Sequence, residues 1–285
     1  MSRPQDAMAQ MSVRRSPPVL PTWSLYLPSD AAANKPARTQ GSLPKDYRPD
    51  ERVEPTPKPD FPHYQYPRWI GHKFNPGGQI MPYPGNTVLS PLDPANALHR
   101  SLQALLNDLQ QQNFASLYTF LPPSSWHMTT YEGVSDQIRL RNSWPADLPV
   151  TSSLKACHAH VATRLADFEH GLGAVAKMEV AGFEPLAEGI ALKLVPATSH
   201  GERALRDLRD RLSQRLGMHH PGHDNYSFHM SLGYLLRHLS EGDEARIAQF
   251  LQGWHAKLPQ SFELAVPEYC VYDDMYSFRR MFYLD

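Results

Sequence analysis

The chain has 285 residues, 41% of them hydrophobic, with two cysteines and a formal net charge of −1. That length and apolar content can build one large domain or two modest ones, while the near-neutral charge excludes a protein that coats nucleic acid through a broad basic surface. No stretch approaches the roughly 18 consecutive apolar residues that cross a bilayer, Arg14–Arg15 leads into no signal-like apolar segment, and Cys157 with Cys270 cannot make a disulfide framework, so a reducing, cytoplasmic setting away from membranes is expected.

Residues 1–60 are crowded with proline and small polar residues and lack apolar periodicity. They are expected to form a disordered N-terminal arm ahead of a single domain over 61–285, with regular structure from about Trp69. NTVLSPL (86–92) reads as a strand entered through the turn Pro84-Gly85. Asp93-Pro94 then predicts a helix start, and Leu98, Leu102, Leu105, Leu106 and Leu109 mark one face of a helix ending near Gln112. ASLYTFL (115–121) is a strand candidate that leads into SWHMT (125–129), and after a loop with Trp144-Pro145 a helix is expected from about 153 to 170, closed by Gly171 and Gly173.

The second half repeats this logic. AVAKMEVAGF (174–183) and GIALKLVP (189–196) read as strands. Leu205, Leu208, Leu212 and Leu216 mark a helix stopped by Gly217, whose Arg203, Arg206, Arg209 and Arg215 alternate with Glu202, Asp207 and Asp210 as a salt-bridged solvent face. HHPGHDNY (219–226) delivers the chain to SFHMS (227–231), Ser240 caps a further helix, and 262–272 and 277–284 supply closing strands. Strands, a leucine-faced helix and a strand bearing the recurring five-residue skeleton in each half predict a duplicated α+β fold rather than a doubly wound parallel sheet.

Histidine followed two positions later by serine or threonine carries little information alone, because His99-Arg-Ser101 and His238-Leu-Ser240 also occur. Strand parity separates the pair of interest. With a period of two, His127, Thr129 and Tyr131 share a face with Ser125 while Trp126 and Met128 oppose them; likewise Ser227, His229 and Ser231 oppose Phe228 and Met230. Each copy thus sets a histidine and a hydroxyl on one polar face.

Two His-x-Thr/Ser motifs on strands in two similar halves resemble the two-histidine (2H) phosphoesterase superfamily. GHKFNPGG, PGNTV, LPPSSWHMTTYEGV, RNSWP and HDNYSFHMSLGY are more particularly similar to a branch known mainly as a domain of unknown function. The resemblance covers about residues 71–285, with Ser231 where threonine is usual, which keeps the hydroxyl. It implies a bilobal, pseudo-twofold α+β fold with two antiparallel sheets flanking a groove. It also implies phosphodiester chemistry on 2′,3′-cyclic phosphates or 2′–5′ RNA linkages, without a cofactor or metal. The chemistry of the residues agrees. In-line displacement at phosphorus needs proton transfer on opposite sides, and imidazole, with an unperturbed pKa of about 6.5, can serve as base or acid. His127 and His229 are therefore the expected catalytic pair, with Thr129 and Ser231 donating hydrogen bonds to the phosphate oxygens. Tyr131, Tyr226, Arg139 and Trp144, with Arg141 beside them, are candidate substrate contacts. A nucleotide or RNA end is the expected partner of a monomer.

Two other readings compete. His219, His220, His223 and Asp224 are metal-ligand types, so a metal-dependent hydrolase is an alternative, although adjacent histidines in a Pro-Gly loop do not share a face. In the first reading, His223 and Asp224 would instead position the following strand or orient His229. A binding module that holds a nucleotide or RNA end without turnover is the third.

Overall fold

Short polar side chains open the helices. The computed structural model describes residues 65–172 and 176–284; the expected N-terminal arm over 1–60 and positions 173–175 lie outside the described residues. Asn96, Ser153, Thr198 and Ser240 accept hydrogen bonds from the backbone N–H of Leu98, Ala156, Gly201 and Asp243. Each cap contributes about 1 kcal/mol. They start α1 (Ala97–Gln111), α2 (Leu154–Leu165), α3 (Ser199–Leu216) and α4 (Glu241–His255). Helix α1 begins later than Asp93-Pro94 suggested, because Asp93 spends its carboxylate on the N–H of Ala95 in a preceding turn. Gly217, at φ 63, closes α3 in the left-handed region, whereas α2 stops at Leu165, short of the expected 170. No described helix is long and apolar enough to cross a membrane.

The described strands are β1 (Gly85–Pro91), β2 (Tyr118–Phe120), β3 (His127–Ser135), β4 (Lys177–Phe183), β5 (Gly189–Pro196), β6 (His229–Leu235), β7 (Ser261–Glu263), β8 (Glu268–Tyr272) and β9 (Arg279–Tyr283). Two expected strands are shorter than the sequence implied. Residues 115–117 form a 3-10 turn before β2, and the run 262–272 divides into β7 and β8 around Pro267, which has no N–H for a ladder. All pairings between these strands are antiparallel and link them as one sheet in the order β7-β4-β5-β6-β3-β1-β8-β9, with β2 also on β6.

Two separate sheets were expected, and the difference lies at one point. Strands β3 and β6 pair only at Met128↔Met230, the second residue of each. They run apart from there: β2 takes the place beside Gly233–Leu235 of β6, and β1 lies along β3 as far as Ser135. The mixed α+β architecture therefore consists of two half-sheets that touch where their central strands begin.

Each half carries apolar burial. Met128, Met230, Phe228 and Leu192 belong to a larger core with the leucines of α1 and with Ile247 and Leu251 of α4. Val88, Tyr131, Cys157, Val161, Leu208 and Leu212 form a second core between the sheet and helices α2 and α3. Strand β3 reaches both by carrying an extra residue: Leu89 pairs with Thr129 but Val88 pairs with Tyr131, leaving Thr130 without a counterpart.

Arg209 corrects the expectation of a wholly solvated arginine face on α3. Arg206, Arg211 and Arg215 do pair at the surface with Glu202, Asp207 and Asp167. Arg209 instead points inward and is 1% exposed, donating to the carbonyl of the unpaired Thr130 (2.8 Å) and to Glu132 Oε2 (2.9 Å). Burial alone would raise the carboxyl of Glu132, but Arg209, helped by His220, outweighs it and holds the group below its usual range. Replacing Arg209 by methionine leaves a buried carboxylate uncompensated. The expected cost is about 3–5 kcal/mol, read as a shift in the urea midpoint, with Arg209→Met/Glu132→Leu recovering much of the loss.

Candidate active site

His127 and His229 are the first residues of β3 and β6. The residues before them are not in strand: Ser125 ends a 3-10 turn, and Ser227 follows the turn His223–Asn225. That irregular approach folds each chain back so that the ring Nδ1 of His127 meets the carbonyl of Ser125 at 2.7 Å, and Nδ1 of His229 meets the carbonyl of Ser227 at 2.9 Å. A carbonyl can only accept, so Nδ1 carries the proton in both rings and Nε2 is left for chemistry. The register Met128↔Met230, continued one residue either way, sets His127 opposite Ser231 and His229 opposite Thr129. The first residues of the two strands thus meet at one junction.

Tyr226 joins this group. It is 4% exposed, its ring lies 5.9 Å from that of His229, and its phenol is in hydrogen-bonding contact with Thr129. The guanidinium of Arg209 sits 3.8 Å above the same ring, so the buried ion pair behind the sheet also fixes a wall of the site. On the other flank the ring of Phe278 packs 4.4 Å from that of His127 in edge-to-face geometry. Burial, reinforced by the nearby His229 and Lys73 and opposed by the Ser125 carbonyl, lowers the pKa of His127 to about 4. Its imidazole is consequently neutral at pH 7. His127 is itself part of the wall of a small pocket that is also lined by Lys73, Asn86, Thr129 and Tyr272.

The other residues singled out from the sequence lie elsewhere. Tyr131 is fully buried in the second core and donates its hydroxyl to the carbonyl of Met218 (2.7 Å); the extra Thr130 reverses the strand parity that had aligned it with His127. Arg139 stacks on Trp144 at 4.5 Å, pairs with Asp136 and donates to the carbonyls of Val150 and Ser152. Trp144 is itself buried, with Nε1 donating to Pro149, and Arg141 holds the carbonyls of Ala146 and Leu148. These three residues brace the segment 136–152 from within.

In the loop 219–224, His223 Nε2 bonds Asp210 (2.9 Å), His219 lies 3.8 Å from Asp224, and His220 is buried 5.6 Å from the ring of Tyr131. Among the described residues no three His, Cys, Asp or Glu side chains converge as a metal site. His229 is oriented by a backbone carbonyl and not by His223 or Asp224. Sequence reasoning did not single out Lys73, Asn86, Phe278 or Arg209. Lys73 lies within the GHKFNPGG stretch and Asn86 within PGNTV, both of which carry the resemblance, but no role attached to either residue.

Residues 73–189 match the family model 2H-phosphodiest, described as a domain of unknown function (DUF1868). That segment contains His127 and Thr129; His229 and Ser231 lie beyond it. Among solved structures, the chain is similar to a conserved protein of unknown function, ATU0111, from Agrobacterium tumefaciens str. C58. The two are 28% identical at a TM-score of 0.72, over 78% of this chain and 94% of that one. No curated protein matches.

His127 and His220 are both lowered to about 4, chiefly by burial. Between about pH 4 and 6.5 the unfolded chain binds more protons at these rings than the native one, so their contribution to stability is complete above 6.5 and is lost as pH falls through that window. Urea midpoints at pH 7 and pH 5 should therefore differ, and His220→Phe should reduce the difference.

Proposed function

We propose, from the match of residues 73–189 to the 2H-phosphodiest family model, that the chain is a phosphodiesterase acting at a nucleotide or RNA-end phosphodiester of the 2′,3′-cyclic or 2′–5′ class. The observation that carries the reading is the matched pair of Nδ1-to-carbonyl hydrogen bonds, which present two Nε2 atoms from opposite halves of the sheet. In this reading the half-sheets around β3 and β6 are the two lobes, and the phosphate binds across their junction.

His127, held neutral, accepts the proton of the attacking oxygen at Nε2 as that oxygen closes on phosphorus. His229 delivers a proton from Nε2 to the oxygen that leaves on the opposite side. Thr129 and Ser231 donate hydrogen bonds to the non-bridging oxygens as charge develops there. Tyr226, fixed by Arg209, holds Thr129 in the rotamer that makes this possible. Side chains thereby supply each proton transfer and the charge stabilisation, and no step is routed through a metal.

The test is hydrolysis of 2′,3′-cyclic nucleotides, 2′–5′ dinucleotides and short RNAs with modified 3′ ends, in EDTA. His127→Ala and His229→Ala should each lower kcat by about 10²–10⁴-fold, and Ser231→Ala by about 10²-fold through loss of one donor. Activity that disappears on chelation would favour the metal-dependent alternative, and tight binding of all three substrates without turnover would favour a binding module.

A further inference from the structure

Lys73 is 1% exposed, enclosed by aromatic rings and set in the wall of the pocket beside His127. Its Nζ lies 4.0 Å from the ring centre of Trp69, 4.9 Å from that of Tyr83 and 5.5 Å from that of Tyr234, and it donates one hydrogen bond, 2.9 Å, to the Tyr234 hydroxyl. No carboxylate pairs with it among the described residues. Glu188, the acidic group that acts on it through space, is taken up by Trp69 Nε1 at 2.7 Å and by Arg68 at 3.6 Å. Burial holds the amine well below its usual range, a loss of solvation that an arriving anion would restore.

A second buried donor shares the pocket. Asn86 is 1% exposed, and its Oδ1 accepts the N–H of Val134 at 3.0 Å. That bond leaves Nδ2 as its remaining polar atom, buried without a partner. Gly133 is required beside it, because a Cβ there would lie 2.2 Å from the Asn86 carbonyl oxygen. The rest of the polar wall comes from Tyr83, Thr87 and Tyr272 and, on the side shared with the cleavage site, from His127 and Thr129, with no carboxylate.

We propose that this pocket is a second anion subsite, taking a phosphate group of the substrate other than the one being cleaved, with Lys73 as its cation and Asn86 Nδ2 as its donor. The inference rests on the reading of His127 and His229 as the site of cleavage. It narrows the substrate class to phosphodiesters that carry a further phosphate a few bonds from the scissile one. The cage gives the subsite its selectivity. Aromatic faces on the far side of Nζ stabilise the ammonium but offer no acceptor, so its remaining N–H groups can be satisfied only from the pocket.

The first test uses inorganic phosphate and the full chain, with occupancy counted by ³¹P NMR and calorimetry. The unmodified protein should bind two phosphates per chain; His127→Ala/His229→Ala and Lys73→Met, each checked for native unfolding behaviour, should bind one. A phosphate count that Lys73→Met leaves unchanged overturns the proposal, whereas a single phosphate that Lys73→Met removes and the double histidine variant keeps upholds the subsite and counts against the catalytic reading. Lys73→Gln serves as a second variant, so that misfolding of one replacement does not decide the count.

The second test compares nucleoside 2′,3′-cyclic phosphates with and without a 5′-phosphate. The phosphorylated substrate should show a KM lower by about tenfold or more, as for one charge-assisted contact, and Lys73→Met should abolish that preference. Equal KM values would overturn the substrate assignment. If no diester is cleaved, the catalytic reading fails while the phosphate count still judges the subsite.

Discussion

The candidate site depends on one constraint: β3 and β6 meet at a single residue pair and then diverge. A longer ladder between them would have enclosed His127 and His229 among paired strands. A shorter one would have separated the half-sheets and left each histidine facing solvent. Pairing Met128 with Met230 and no further places both rings at the seam, with the two methionines packed into the larger core as an apolar anchor. A strand start is also where the preceding backbone has left the pleat, which lets a carbonyl two residues back reach the ring of its own chain.

Behind the seam, one buried ion pair connects a structural irregularity to the candidate site. The extra Thr130 lets β3 face two cores but frees its carbonyl, and Arg209 accepts the task of satisfying it. The same guanidinium neutralises Glu132 and covers Tyr226, whose phenol touches Thr129. Buried ion pairs contribute little net stability after desolvation. Here the pair has a positional role, because α3, the bulge and the tyrosine must all be in register for it to form.

Much of this was legible in the sequence because it rests on local periodicity. Helices α1 and α3 followed from leucine spacing and α4 from its Ser240 cap, while the cap expected at Asp93 belongs to a preceding turn; a period of two put Thr129 on the same pocket wall as His127. Parity reasoning then failed at a definite residue. It holds from His127 to Thr129 and breaks at Thr130, which is why Tyr131 lies in a core instead of the site. Ser125 likewise acts through its backbone and not from the strand face assigned to it. Arg209 was misread because charge alternation on a helix does not reveal which arginine will meet a buried carboxylate from another element. Lys73 and Asn86 lie in stretches that carried the resemblance but drew no role of their own, because the rings around Lys73 come from positions 69, 83 and 234 and the partner of Asn86 from Val134, separations that no sequence window contains.

The two carbonyls that set the histidine tautomers belong to the main chain. A site oriented by aspartates can be disarmed by exchanging one side chain, and its geometry titrates with those carboxylates. Here any amino acid at 125 or 227 retains the acceptor, and no change of pH can protonate it in the accessible range. The orienting element is therefore robust to point substitution and sensitive instead to backbone displacement, so the turns at 123–125 and 223–225 are where insertions and deletions would be most damaging.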